Sequence, residues 1–401
     1  MDIASVIFLL TYTVIALGQP PLFRIDRTGA AIIGASLMVI FKILSVYDAY
    51  EAIDYKTVII LFGMMVLIAN IRLSGFFNLV QHVILSKITN PLLLLGAIIF
   101  TSGILSAFFI NDTVCLIFTP FLVELTKKLD INPKPYLLGL CMSANIGSVA
   151  TITGNPQNII IGSASGISYG AFFLKMFPVA IVCLIICFIL IAYIYRRELR
   201  KEIAKTTTIR YRYNKALVIK SSILAIITLM LFFYGIPLEI VSVGVASFLL
   251  ITRRIKPEKV YSLIDFRLLI LFIGLFIVIK GFENSVLFER ILANAALLVQ
   301  TPLALILSST VLSNIVSNVP AVLIFKPLIS SSGNSDFAWL CLAMSSTFAG
   351  NLTIVGSIAN IIVIESASQK VKISFCEYLK VGVPITLLTI LAGFMILVLL
   401  Y

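Results

Sequence analysis

Polar side chains able to bind an ion or a small solute stand at four places inside otherwise apolar stretches. One is Asn111-Asp112-Thr113, set in SAFFINDTVCLIF among Phe, Ile, Leu and Val, and another is Ser317-Asn318-Val319-Pro320. The remaining two are Thr153-Gly154-Asn155-Pro156-Gln157-Asn158 and Gly356-Ser357-Ile358-Ala359-Asn360. Pro in an apolar helix removes an amide donor and clashes with the preceding turn, and a nearby Gly lets the chain bend, so these two read as helix breaks. Unwound backbone at membrane depth persists only where it is packed in protein or lines a wet cavity. Amino-terminal helix ends then offer NH groups to anions, while carboxy-terminal ends and free carbonyls suit sodium or a proton-carrying group. The amides of Asn111, Asn155, Asn158, Asn318 and Asn360, with the hydroxyls of Thr113, Thr153, Ser317 and Ser357, supply neutral donors and acceptors. Asp112 adds the one carboxylate near the middle of such a segment. Intramembrane acids of this kind bind a coupling ion or a proton, although capping a helix is the competing use of an Asp.

The elements that must position these groups follow from composition. Of 401 residues 60% are hydrophobic and only 12% are charged, more apolar content than a soluble core needs, and it recurs in blocks long enough to cross a bilayer. The expectation is an all-α polytopic membrane protein. Ten spans are predicted near 3-18, 30-47, 56-73, 137-166, 173-195, 216-234, 237-252, 266-282, 337-367 and 376-400. Segments 92-126 and 302-329 are apolar but interrupted at their centres, and read either as single spans or as re-entrant hairpins. The first block, from Ile3, lacks a basic start and a small-residue cleavage site and reads as a retained helix.

Charge placement separates hairpin from span. Arg24 with Arg27, Lys127 with Lys128, Arg196 to Lys215, Arg253 to Lys259, and Lys370 with Lys372 all fall on the cytoplasmic side only if both interrupted segments return to their own side. Both termini are then outside. The basic linker 196-215 divides the chain into halves 1-195 and 216-401, and IDYKTVIILFGMMVLI from Ile53 matches IDFRLLILFIGLFIVI from Ile264. The matching helices run in opposite directions under this topology. The sequence thus predicts two inverted five-helix repeats, each with a re-entrant hairpin (92-126; 302-329) and a broken helix (137-166; 337-367). Inverted repeats with discontinuous helices are the arrangement of alternating-access transporters. An amphipathic segment follows the third helix of each half, FFNLVQHVILSK from Phe76 and FERILANAALLV from Phe288, and is expected to lie in the interface. The single histidine, His82, reads there as a surface residue, and Lys42, Lys326 and Glu365 as snorkelling groups near helix ends.

The stretches NDTVCLIFTP, ANIGSVATITGNPQN, SNVPAVLI and AGNLTIVGSIAN resemble the repeated motifs of the ion transporter superfamily. That superfamily includes citrate-type transporters, arsenite permeases, D-type sodium/proton antiporters, the melanosomal P protein and sodium/dicarboxylate symporters. The resemblance covers nearly the whole chain. It implies a homodimer that moves substrate by an elevator-like motion; in the sodium/dicarboxylate symporters each hairpin tip carries Ser-Asn-Thr, and the two tips help bind substrate carboxylates and sodium. By that pattern Ser317, Asn318 and Thr113 match, whereas Asn111 stands for Ser, Asp112 for Asn and Val319 for Thr. NDT followed by SNVP looks more like the arsenite, antiporter and P-protein branch. The implied sodium positions are near Asn111, Asp112 and Gly154, and near Asn318 and Gly356.

The expectation is a secondary active transporter of a small anion or oxyanion in the plasma membrane, driven by sodium or protons. An arsenite- or silicate-type efflux permease, or a sodium/proton antiporter, is the alternative. Other classes fit poorly. The +12 net charge sits in inter-block loops, as in membrane proteins, rather than in a nucleic-acid patch. The cysteines form no CxxC, so neither a metal nor a disulfide is expected. No filter sequence repeats, and no GxxxxGK[ST] loop or nucleophile with a base is present, so a channel, direct ATP drive, a cofactor and an enzyme are not expected.

Overall fold

The computed structural model describes residues 2–17, 24–87, 90–200, 213–251, 255–291, 301–331, 333 and 335–401, and among them it is all helix, with no strand. Most of the linker from Arg196 to Lys215 (201–212), part of the basic loop with Arg253, and the end of the second amphipathic segment (292–300) lie outside the described residues. Among the described residues five helices are long and apolar enough to cross a membrane: Tyr55–Ser74, Pro91–Phe108, Tyr169–Ile194, Lys215–Phe233 and Phe375–Leu400. Exposed Leu, Ile and Phe line the outer faces, as lipid contact requires, while the core is a continuous apolar cluster.

Both interrupted segments are hairpins. The first has legs Pro91–Phe108 and Asn111–Lys128, and the second has legs Pro302–Val316 and Asn318–Ser331. Each first leg starts on a polar cap followed by Pro, with Asn90 accepting from Leu92 N and Thr301 from Ala304 N. Both broken helices are present. One runs as Lys134–Ser148 and Pro156–Ser165, the other as Asp336–Ala349 and Ile358–Ala367, with a 3-10 turn at Ile354–Gly356 between its halves. The second predicted span stops earlier than 47. Helix Arg27–Ile40 ends in a turn with Lys42 at φ 56°, and a short helix, Val46–Glu51, follows under a Ser45–Asp48 capping box.

The halves pack on each other in matched pairs. Tyr55–Ser74 lies along Leu238–Leu250, and Phe266–Glu283 lies along Arg27–Ile40. At the crossings a Cβ on Gly63 would stand 2.6 Å from the Ser242 carbonyl carbon, and one on Gly274 would stand 2.8 Å from that of Ala31. Positions 63 and 274 are 211 apart, and so are 31 and 242. Likewise the second leg Asn111–Lys128 packs on Ile358–Ala367, and Asn318–Ser331 packs on Pro156–Ser165. Each hairpin is therefore held by the broken helix of the other half.

Candidate functional site

The four polar interruptions meet at the centre. A cavity of about 30 Å³ between the hairpin tips is lined by Asn111, Asp112, Gln157, Ser317, Asn318 and Ser357, with Pro156, Leu268, Val319 and Ile358 closing its apolar sides. Two helix amino termini, at Pro156 and Ile358, stand at this cavity, where the helix dipole favours negative charge.

In the first tip, Phe109 and Ile110 leave helical geometry and the second leg begins at Asn111. Asn111 N donates to Gly154 O at 3.3 Å and its Nδ2 donates to Asn145 Oδ1 at 2.9 Å. Asn145 Nδ2 in turn donates to Asn351 Oδ1 at 2.9 Å and to Asn360 Oδ1 at 3.1 Å, and Ser357 Oγ donates to Asn145 Oδ1 at 3.0 Å. One buried amide thus ties the first tip to the second break. In the second tip, Ser317 sits at φ 76°, a conformation that residues with a Cβ rarely hold without support from their surroundings. Support comes from Tyr12, whose hydroxyl donates to Pro320 O at 3.3 Å, and from Asn318, whose amide turns to donate to Ser346 O at 2.9 Å and Gly356 O at 3.2 Å.

The structure shifts the register of the tips by one residue relative to the motif comparison. Asn111 and Asn318 each open a second leg, so Asn111 is the counterpart of Asn318, Ile110 of Ser317 and Asp112 of Val319. Asp112 does not act as the helix cap. Ile110 occupies that position with no side-chain cap bond, and the half-buried Asp112 carboxylate makes no hydrogen bond among the described residues. It lies in the first helical turn, where the helix dipole favours negative charge.

The breaks share one construction. Asn158 Nδ2 donates to Ser148 O at 3.2 Å and Thr151 O at 2.9 Å, and Asn360 Nδ2 donates to Gly350 O at 2.6 Å and Thr353 O at 3.1 Å. Residues 148, 151 and 158 match 350, 353 and 360 at a constant step of 202. Asn155 and Ser357 cap the second halves, accepting from Asn158 N at 2.8 Å and Ala359 N at 3.3 Å. Gly154 and Gly356 let the loops approach the preceding helix ends. A Cβ on Gly154 would lie 2.1 Å from Ser148 O, and one on Gly356 would lie 3.1 Å from Gly350 O.

Not every expected site residue faces the cavity. Asn111, Asp112, Ser317, Asn318 and Ser357 line it. Gly154, Asn155, Asn158, Gly356 and Asn360 shape the loops behind it. Thr113 faces an adjoining space, and Thr153 turns away to bond the Tyr169 hydroxyl at 2.9 Å. Gln157, expected only as part of the first break, lines the cavity as well. Asn145 and Thr347 were missed by sequence reasoning, and Thr347 receives bonds from Asn155 Nδ2 at 3.3 Å and Gln157 Nε2 at 3.2 Å. So were Ser106 and Ser313, whose buried hydroxyls have no hydrogen-bond partner among the described residues and stand 207 apart, five residues before Asn111 and Asn318. The pair ILS and VLS at these positions was the available signal. Ser102–Ser143 and Ser309–Ser345, each joined by a 2.6 Å hydroxyl contact, repeat the same pairing one turn further down.

Apolar spans, broken helices and a polar cavity at their junction define a multi-pass membrane transporter. The chain belongs to the citrate transporter family, whose sequence model matches residues 12–348. It is similar to a putative transporter named arsB from Dictyostelium discoideum, with 28% identity over 94% of this chain and 88% of the relative. A 46 kDa membrane protein of Mycobacterium leprae is 27% identical over 98% of this chain and 97% of its own length. The silicon efflux transporter LSI3 of Oryza sativa subsp. japonica is 26% identical over 93% and 92%. The family and these relatives are transporters and membrane proteins, and this chain is not an enzyme.

Proposed function

We propose that this protein is a secondary active transporter that moves a small anion or oxyanion through the cavity between the hairpin tips, coupled to sodium or protons and working by elevator-like alternating access. The observation that carries the reading is the convergence of two tips and two breaks on one cavity, with Asp112 in its wall and without a hydrogen-bond partner among the described residues. Two inverted repeats are supported by the constant steps: 202 through the breaks, 207 through the hairpins and 211 through the paired spans. Reciprocal packing of each hairpin on the other half's broken helix supports them too. A homodimer in the plasma membrane with both termini outside completes the proposal, the sides following from the basic loops.

Sodium at Asn111, Asp112 and Gly154 would find a carboxylate, an amide and the Gly154 carbonyl. A second ion at Asn318 and Gly356 would find neutral oxygens only. Two relatives, a putative transporter named arsB and a silicon efflux transporter, favour a second reading in which the solute is an oxyacid and the direction is export.

The test is uptake by reconstituted liposomes against a panel of dicarboxylates, sulfate and arsenite, under imposed sodium and pH gradients. Asp112→Asn keeps shape and hydrogen bonding but removes the charge. It is expected to abolish the response to either gradient while downhill exchange persists. Gradient-driven uptake at the wild-type rate, with unchanged pH dependence, would defeat the assignment.

A further inference from the structure

A second cavity of about 160 Å³ adjoins the tip cavity and shares Asp112, Leu268 and Ile358 with it. Its wall is largely apolar, from Met65, Ile68 and Leu116, and carries three charged groups: Asp112, Asp265 and Arg72. Asp265 is engaged at the start of helix Phe266–Glu283, accepting from Leu268 N at 3.1 Å. The Arg72 side chain makes no hydrogen bond or ion pair among the described residues. It lies half-buried in the last turn of Tyr55–Ser74 and takes part in none of the ion pairs among the described residues, which join Lys128 to Glu124, Lys134 to Glu377 and Lys280 to Glu283.

The fold itself does not require a guanidinium there. At the step of 211 the counterpart of Arg72 is Glu283, which faces a separate cavity of about 380 Å³ with Asp48, Glu51 and Lys326 and is paired with Lys280 at 3.0 Å. That larger cavity shares no lining residue with the tips. The space beside Arg72, unlike the space beside Glu283, adjoins the tip cavity, and the halves differ there in sign.

We propose that the cavity beside Arg72 is the entrance by which a small anion reaches the hairpin tips, and that Arg72 captures the anion in it. The proposal rests on the reading of the tips as the substrate site. A planar fork of five donors matches a carboxylate or an oxyanion, and apolar walls focus its field. Asp112 faces the same space. Bare, its carboxylate repels an anion in that space; with its coupling cation or proton bound it adds no net charge. Binding of the cation before the anion follows from that repulsion.

The experiment uses purified full-length protein in detergent, with Cys376→Ser, since the other five cysteines are buried, and Leu116→Cys as the reporter, Leu116 being 41% exposed in the cavity wall. Modification rates are measured with anionic and cationic methanethiosulfonates, alone and with sulfate, succinate, citrate or neutral arsenous acid. The anionic-to-cationic rate ratio is expected to fall about tenfold in Arg72→Gln and to be largely kept in Arg72→Lys. At least one of the three anions is expected to slow modification, with the half-protecting concentration about tenfold higher in Arg72→Gln. An unchanged ratio, no protection by any of the anions, or equal protection in Arg72→Gln would each overturn the proposal. Protection by arsenous acid alone, equal in both proteins, would overturn it as well. The measurement needs no gradient and no transport, so its failure is distinct from a failure of coupled uptake.

Discussion

Gly154→Ala adds one methyl group at the tightest point of the first break. Its Cβ would stand 2.1 Å from Ser148 O and 2.8 and 2.9 Å from the Ser148 carbonyl and α carbons. These are backbone atoms at the end of a fully buried helix, so the methyl group cannot be cleared by a rotamer change. The loop must move by about 1 Å to restore ordinary contact distance, a displacement in the range where overpacking costs roughly 1–3 kcal/mol. Two bonds are strained by the move, Asn158 Nδ2 to Ser148 O and Asn111 N to Gly154 O, and the second holds the hairpin tip. A cost of about 3 kcal/mol is therefore expected, with transport reduced roughly 100-fold if the displaced tip is the binding-competent part. Gly356→Ala is the internal control. Its nearest neighbour is Asn314 Oδ1 at 2.8 Å, a side-chain end, and its nearest backbone atom is Gly350 O at 3.1 Å. A cost of about 1 kcal/mol or less and a several-fold loss of transport are expected. Thermal unfolding in detergent and liposome uptake measure both. Equal losses in the two variants, or a milder effect at Gly154, would refute the steric argument.

Asn158→Leu is expected to destabilise by about 2–4 kcal/mol because it strands two buried carbonyls, and Asn360→Leu by more, because it strands the two matched carbonyls and also removes the Oδ1 that accepts from Asn145 Nδ2; a smaller loss of unfolding midpoint at Asn360 than at Asn158 would contradict this account. Thr153→Val removes the bond to the Tyr169 hydroxyl but faces no cavity. Stability is expected to fall by about 1 kcal/mol with the substrate KM unchanged, and a KM shift in uptake assays would return Thr153 to the site.

The parts of this arrangement that are local in sequence were legible there. Interruptions at Asn111-Asp112-Thr113, Ser317-Asn318, Gly154-Asn155-Pro156 and Gly356-Ser357 announce themselves because polar residues, Gly and Pro are rare in apolar blocks. Asn145 did not, although it organises the centre. It lies inside a regular helix in ANIGS, and its partners Asn351 and Asn360 are 206 and 215 residues away. Nothing local distinguishes such an Asn from one that bonds its own helix, as Asn70 does with Val66 O at 2.9 Å. Ser45 was similarly obscured. Val46-Tyr47 continues the apolar run, so hydropathy extended the second span to 47, whereas the Ser45–Asp48 box starts a new helix.

The register of the tips shows how structure changes a motif comparison into an argument about charge. Aligned by type, Asn111-Asp112-Thr113 and Ser317-Asn318-Val319 overlap in a way that sets Asp112 against Asn318. Aligned by the residue that opens each second leg, Asn111 meets Asn318 and Asp112 meets Val319. The two asparagines then share a role, each bonding into the second break: Asn111 through Asn145, and Asn318 directly to Gly356 O. The next position in each tip lines the same cavity from opposite halves, and there one half offers a carboxylate while the other offers an isopropyl group. A pair of like tips built by duplication would place two like charges within one small space, which the low dielectric would penalise heavily. Val319 removes that conflict. Under the proposed function Asp112 would be the charged coupling group of the first tip, facing a second tip that contributes only neutral donors and acceptors.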